Sequence, residues 1–431
     1  MRASFILACG AVALASVATM VACAASGDEA EPVPPQQEGG GSALPDADVP
    51  DVDPGEDASG EESTCSEAGW CPTSLPDEDL TMKDIWPFPG RALAVAESPT
   101  LGIKVLEWED AAGAWKYIDD GTQNEPGFGD YIGKAWAPNE DELYFGIAPG
   151  YVYHGKRPVP PATAWTWTRH PLESSKKSVG LDDGYPTYPA IQARYPALGV
   201  WGTSKNDVYA WHANTVYHFE QVDGGGGRWV AEYVADDPSS PNERLFFLGA
   251  AGTSADDVWF SGARSQLGAG CALVVRKTAA GYQKVADGVI GGPYWPCFER
   301  PGVMRIDGAE GWLTDIQAIG ANQFLGLKGA RDVVKISAAD DGRYVVDRAP
   351  IPYAVTPTGL SSLWSAPGAV WLSGWGRVVR GTDVWDGGAY RISTISRAGE
   401  PINRPIFQVR GASNDNLWAI GARHAFHKTT P

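Results

Sequence analysis

Short apolar runs alternate with turn clusters over most of this chain, and the pattern is clearest between residues 198 and 231. Leu198-Gly199-Val200-Trp201 is apolar, and Gly202 to Asn206 is a turn cluster. Asp207 to Trp211 is β-branched and aromatic, His212-Ala213-Asn214 is a second turn, and Val216 to Phe219 is a third run. Gly224 to Gly227 is a glycine turn, and Trp229-Val230-Ala231 opens a fourth run. Runs of this length between Gly, Asn, Asp and Ser predict four hairpin-linked antiparallel strands. Ser and Asp in the first turn bond to nearby backbone groups. Aromatic and β-branched residues suit a pleated surface covered on both sides. A glycine closing the second strand predicts a positive φ there.

The unit repeats. WGTSKNDVYAW (Trp201–Trp211), GTSADDVWFSG (Gly252–Gly262) and GASNDNLWAIG (Gly411–Gly421) are strong copies. APNEDELYFG (Ala137–Gly146), ANQFLG (Ala321–Gly326) and SAPGAVWLSG (Ser365–Gly374) are weaker. The central aromatic falls at Tyr144, Tyr209, Trp259, Phe324, Trp371 and Trp418, in steps of 65, 50, 65, 47 and 47, and a further copy centres on Leu93, 51 residues before Tyr144. About fifty residues per unit matches a four-stranded propeller blade. A solenoid would use distinct capping repeats and usually shorter periods. The expected fold is all-β, a seven-bladed β-propeller of four-stranded antiparallel blades over residues 65–431, preceded by a disordered tether. The last unit ends without a fourth strand, which predicts that residues near Cys71 to Asp77 close the ring.

A second register follows the aromatic. An apolar residue precedes a basic one at Ile103-Lys104, Tyr153-His154, Tyr217-His218, Val275-Arg276, Val334-Lys335, Val379-Arg380 and Phe426-His427. His154, His218 and His427 therefore read as one structural position in three blades, not as a metal triad. There is no GxSxG elbow, HExxH, phosphate loop or EF-hand loop, so no catalytic residue and no metal ligand is assigned. Asp119-Asp120, Asp182-Asp183, Asp256-Asp257 and Asp340-Asp341 lie in turn clusters. They read as turn acids. No cofactor is expected, and calcium at such a turn is the one ion they suggest.

The N-terminus carries a targeting pattern. Arg2 precedes an apolar run from Phe5 to Met20, as in an export signal. Met20-Val21-Ala22-Cys23 resembles the lipobox of bacterial lipoproteins, with Met20 where Leu is usual. That resemblance implies a signal peptide over 1–23, a diacylglycerol on Cys23 and, with Ala24 rather than Asp next, the outer membrane. Cleavage as an ordinary secretory signal at Ala22-Cys23-Ala24 is the other reading. Residues 24–64 read as an acidic Pro/Gly-rich tether that cannot bury enough to order itself. Ala24 to Met82 holds 16 acidic residues and no Lys or Arg, leaving 37 acidic against 33 basic residues in 83–431. Most of the chain's net charge of −19 thus lies before residue 83, and the body lacks the basic face that nucleic-acid binding requires. Cys65, Cys71, Cys271 and Cys297 follow the signal, an even number that suggests disulfides in an exported protein. Proximity in sequence favours Cys65–Cys71 and Cys271–Cys297 among the three pairings.

The two long steps mark insertions at about 155–196 and 265–312. They hold Trp165, Trp167, Tyr185, Tyr188, Tyr294 and Trp295. Long loops on a rigid scaffold often carry binding, so these aromatics are ligand candidates, though packing between blades explains most Trp in such a fold. The phrase GTSxxDVW(A/F)xG with its later aromatic-His pair resembles the propeller repeats of exported lipoproteins in Gram-negative soil bacteria. That resemblance covers about 83–431 and transfers no catalytic residues. Two functional expectations follow. One is a periplasmic or cell-surface lipoprotein, membrane-bound only through its lipid, that presents a binding or interaction scaffold to a protein or polysaccharide. The other is an extracellular carbohydrate-active hydrolase or lyase working in the central cleft.

Overall fold

The computed structural model describes residues 65–430 apart from 130, 173–196, 223–225, 267–268, 293–295 and 398–399. The signal region, Cys23 and the tether lie outside these residues, as do Tyr185, Tyr188, Tyr294 and Trp295. The described chain is all-β apart from one 3-10 turn at Thr122–Asn124.

Four-stranded antiparallel sheets begin at Thr81, Arg244, Leu313 and Ser362, with strands in chain order. Two further units of the same kind begin at Ile132 and Leu198, and a single parallel bridge, Gly199 to Lys134, joins them into an eight-stranded sheet. Another begins at Ile406. It takes three strands from the C-terminus and its fourth, Trp70–Thr73, from the other end of the described chain. Each unit is named below by its first residue. The first strands lie side by side, Thr81–Phe88 against Ile132–Asn139 and so on to Ile406–Ser413, which packs back against Thr81–Phe88. The units therefore form a closed ring.

Closure uses the segment the sequence pointed to. Trp70, Cys71, Pro72 and Thr73 pair with Lys428, His427, Phe426 and Ala425. Trp70 is buried against Trp371, with ring centroids 6.2 Å apart. The Cys65–Cys71 disulfide sits at the start of this strand. Because the strand completes the last sheet, its removal would expose a ladder edge and the apolar face beneath it.

The core lies between units. One cluster joins Tyr209 and Trp211 of the Leu198 unit to Phe247, Val258 and Phe260 of the Arg244 unit. Burying each such side chain stabilises by about 1.5–3 kcal/mol, so every unit depends on its neighbours. Glycine permits the closest approach. A Cβ at Gly133 would overlap the carbonyl of Leu198, next to the bridge that joins the two units. The glycines closing the second strands also answer to space and not torsion, which corrects the expected positive φ: Gly146 faces the next unit, and Gly262 and Gly421 face the start of their own first strand. Gly146, Gly262 and Gly421 are not among the positive-φ glycines. A Cβ on them would instead strike Leu198, Phe246 and Pro405.

The recurring phrase is a β-bulge. Pairing slips between Gly202 and Ser204, Gly252 and Ser254, and Gly411 and Ser413, leaving Thr203, Thr253 and Ala412 out of register. A bulge frees the extra residue to aim its side chain elsewhere. Thr203 donates to Asp207 Oδ2, and Thr253 does the same to Asp257 Oδ2 at 2.8 Å. The repeated Thr and Asp are therefore one clamp on the first turn.

Candidate functional site

The residue paired directly with the central aromatic sets the character of the ring's axis. That position holds Trp86, Trp136, Trp201, Ala251, Ala318, Trp364 and Arg410 in successive units. Each large member leans on the next unit. Trp86 Nε1 donates to Ala135 O at 2.6 Å, and the rings of Trp136 and Trp201 lie over Gly202 and Gly252. Arg410 donates to Ile85 O at 2.9 Å and places its guanidinium 4.6 Å from the Trp86 ring centroid. The phrase glycines thus leave room for the preceding unit's indole. Ala251 and Ala318 break the series.

A cavity of about 290 Å³ fills that break. Trp86, Trp201, Trp364 and Arg410 stand around it, and Ala251, Ala318 and Gln317 form the notch. It lies among the later residues of the first strands. The insertion of the Arg244 unit enters at the opposite ends of those strands, whereas residues 157–165, between the third and fourth strands of the Ile132 unit, lie at the mouth's own end. A narrower space of about 30 Å³, bordered by Asp84, Lys134, Asp315 and Trp211, continues along the axis.

The polar groups here mostly stitch units together. Asp84, only 1% exposed, accepts from Ile85 N at 2.9 Å and Ala135 N at 3.0 Å and pairs with Arg410 Nη1 at 3.2 Å. Asp315 accepts from Leu363 N at 3.0 Å, and Ser362 Oγ from Val409 N at 2.7 Å. Gln317 accepts from Ser365 N at 2.6 Å and donates to Ser365 O at 2.9 Å. Lys134 Nζ donates to Gln408 Oε1 at 2.9 Å. What is left unengaged is mainly donors. Among the described residues, the indole N–H groups of Trp201 and Trp364 meet no acceptor, and neither do Nε and Nη2 of Arg410. The site therefore offers aromatic faces, a small apolar notch and a guanidinium edge. Both oxygens of Asp84 are occupied by backbone amides, whereas Asp315, which also lines the cavity, is bonded at Oδ2 and keeps Oδ1 open.

The residues singled out from sequence fall elsewhere. Trp167 lies on the fourth strand of the Ile132 unit and donates to Ile118 O at 2.8 Å. Trp165 just precedes that strand, 8% exposed, with its ring centroid 5.9 Å from that of Trp167. Both pack into the core cluster of the Thr81 and Ile132 units. The three histidines each stack on their own unit's aromatic, at 3.9 Å for Tyr144–His154, 4.6 Å for Tyr209–His218 and 4.1 Å for Trp418–His427. Each bonds at its strand's start, to Glu142 (3.0 Å), Asp207 (3.0 Å) and Asn416 (3.1 Å). Arg276 fills the position in the Arg244 unit, 3.0 Å from Asp257 Oδ1. The environments differ. Burial pushes His154 down to about 4. Hydrogen bonds to Asp207 and Glu232 raise His218 to about 9. Among the described residues, no group of three or more His, Cys, Asp or Glu could hold a metal ion. Of the paired acids, Asp119 meets Lys104, Asp120 caps Thr122, and Asp341 pairs with Arg343. Asp182-Asp183 lies outside the described residues.

The second insertion is clamped. Cys271–Cys297 is a disulfide, and Val289–Ile290 pairs with Cys297–Phe298. Beneath them Arg264, fully buried, meets Asp287 through two bonds of 2.9 and 2.8 Å, Glu243 at 2.7 Å and Asp237 at 3.0 Å. Arg300 reaches Asp237, and Lys284 reaches Asp287 at 3.0 Å. Three cations thus face three carboxylates. Hydrogen bonds from Ser239 and Arg300 hold Asp237, and those from Arg264 hold Asp287, below the usual carboxylate range despite burial.

Sequence reasoning missed the axial residues because it followed what repeats. The signal was present: aligned on the aromatic, the paired position reads Trp four times, Ala twice and Arg once.

No protein-family model matches the chain, and no curated protein matches it. Solved structures do. YCF48 bound to D1 peptide superposes with a TM-score of 0.52 at 11% identity, covering 84% of this chain and 97% of that one. YCF48 from Cyanidioschyzon merolae gives 0.52 at 13% identity, covering 84% and 99%. At such identities the likeness concerns fold alone, and the fold it shares with this chain is the β-propeller.

Proposed function

We propose that this protein is a lipid-anchored, seven-bladed β-propeller that binds other proteins through the mouth lined by Trp86, Trp201, Trp364 and Arg410. The observation that carries the reading is the break in the axial series. Small residues at Ala251 and Ala318 leave a cavity walled by aromatic faces and a guanidinium, the residue types enriched where binding energy concentrates. The peptide-bound propeller with the same fold supports a protein partner over a polysaccharide. The chain itself supplies the display. Cys23 takes the lipid, residues 24–64 form the tether, and the propeller of 65–431 stands off the outer membrane on its periplasmic or outer side. As a flexible coil the tether would reach on the order of 40 Å.

Two experiments test this. Peptide display against the lipid-anchored protein is expected to select binders that Ala251→Trp no longer retains. Selected binders indifferent to Ala251→Trp and Trp364→Ala would overturn the mouth as the binding surface. Cys23→Ala is expected to release the protein from membranes, and unchanged membrane retention would overturn the anchor.

A further inference from the structure

We infer that the mouth receives a chain end: the C-terminal carboxylate of an extended peptide whose last side chain is small and apolar. This rests on the protein-binding reading above and specifies its chemistry. The first observation is the imbalance of unengaged groups. Arg410 spends Nη1 on Asp84 and Ile85 O, leaving Nε and Nη2, and two indole N–H groups stand in the same wall. Against these donors stands one open carboxylate oxygen, Asp315 Oδ1; an excess of donors calls for an acceptor-rich ligand, and a guanidinium edge matches a carboxylate in two parallel bonds. The second is preorganisation. Asp84, Ile85 O and the Trp86 ring hold the guanidinium from three sides, so little side-chain freedom is lost on binding. The third is size. The mouth holds about 290 Å³ and then narrows to about 30 Å³ where Asp84 and Asp315 border the axis. It is at the small end of ligand pockets, which run from about 300 to 1,000 Å³. A space of this size suits a chain end. The fourth is the notch. Ala251, Ala318, Ile316 and Leu363 give it apolar walls, and the amide of Gln317 is held by Ser365 through one donated and one accepted bond.

The test uses affinity selection on the lipid-anchored full-length protein with two random hexapeptide mixtures, one with free C-terminal carboxylates and one with C-terminal amides. The expected result is enrichment of the free acids by at least about tenfold over the amides, the scale of losing one charge-assisted bond. Small apolar last residues should dominate. Arg410→Gln should abolish the preference, Arg410→Lys should restore part of it, and Ala251→Trp should abolish retention of both mixtures. Melting curves of the three variants confirm that they are folded. Equal retention of acids and amides by the wild type, lost in Ala251→Trp, overturns the carboxylate assignment and leaves the protein-binding reading standing. Retention of neither mixture, while display still selects binders sensitive to Ala251→Trp, overturns the chain-end assignment alone. N-acetyl-leucine binding as tightly as the best peptide overturns the peptide in favour of a small carboxylic acid.

Discussion

The Leu198 and Arg244 units are neighbours built on the same phrase, and they part in three places. At the axis one has Trp201 and the other Ala251. On the third strand one has His218 and the other Arg276, each bonded to the acid that the bulged Thr also reaches. At the hairpin between the second and third strands, the Leu198 unit turns at His212 to Thr215. The Arg244 unit runs on to Gln266 and Ala269 and carries a disulfide-tied insertion. The bulge, the aromatic and the inter-unit core are common to both. The repeat thus builds the scaffold, and divergence at fixed positions decides where it opens, where it is rigid and where it titrates.

The largest difference is the buried ion network. Arg264 has no solvent and four bonds to three carboxylates. Removing one partner from such a cluster leaves uncompensated buried charge and costs about 3–5 kcal/mol. Arg264→Ala should lower the urea midpoint accordingly. In the plain unit the residue at the same distance from the aromatic is Asn214, and Asn214→Ala, which removes no charge, should do less. A loss below about 1 kcal/mol for Arg264→Ala would mean that the carboxylates shed their charge or find other partners.

Next is the Cys271–Cys297 bond. It closes a loop of 26 residues, a constraint on the unfolded chain of roughly 3 kcal/mol. The double variant Cys271→Ser, Cys297→Ser leaves Cys65–Cys71 intact and isolates this bond. An unchanged midpoint would show that the ion network alone holds the insertion.

Much of this fold was legible in the chain, for a physical reason. A blade needs a period of strands, a turn acid and an aromatic between its neighbours, and repetition averages away local ambiguity. Closure by residues near Cys71 to Asp77 followed from a count of strands, and the strand that does it is Trp70–Thr73. The glycine at the end of the second strand was misjudged because sequence shows that a Cβ is unwelcome without showing whether torsion or a neighbour's backbone excludes it. The mouth was hidden for a related reason. Trp201 and Ala251 are a large and a small apolar residue in equivalent strands, and only the ring's closure makes the small one an opening. Trp165 and Trp167 drew attention by type, and both pack in the core between the Thr81 and Ile132 units. The Arg264 network joins Asp237, Glu243 and Asp287 across 50 residues of sequence with no motif.

At the axis, exchanging the two residue types tests the comparison directly. Trp201→Ala should destabilise by about 1–2 kcal/mol, less than a fully buried Trp because the ring is half-exposed, and should widen the mouth. Ala251→Trp should leave stability nearly unchanged while occluding the notch, so that peptide retention falls and the urea midpoint does not. If Ala251→Trp also unfolded the protein, the notch would be filled core and not an opening.

The smallest effect is the most specific. His218 and Arg276 occupy one register, and they differ in how firmly each holds its proton. It sits between Asp207 and Glu232, at 3.0 and 3.1 Å, and stacks on Tyr209, over which Lys277 lies at 5.5 Å. Hydrogen bonds to the two carboxylates raise it to about 9. Its folded value thus stands above the ordinary value of about 6.5. Its contribution is complete below that pH and is lost as pH rises through about 9. Partial exposure screens the pair, so the change is on the order of 1 kcal/mol. His154, pushed down to about 4 by burial, acts in a separate window. Its unfolded form takes up a proton first, so it lowers stability as pH falls from about 6.5 toward 4. Urea midpoints at pH 6 and pH 9.5 separate the cases. Wild type should lose stability between them, His218→Gln should be weaker at pH 6 and equal to wild type at pH 9.5, and His218→Arg should flatten the slope as Arg276 already does next door. An undiminished alkaline slope in His218→Gln would place the titration on another group and leave the two units electrostatically alike.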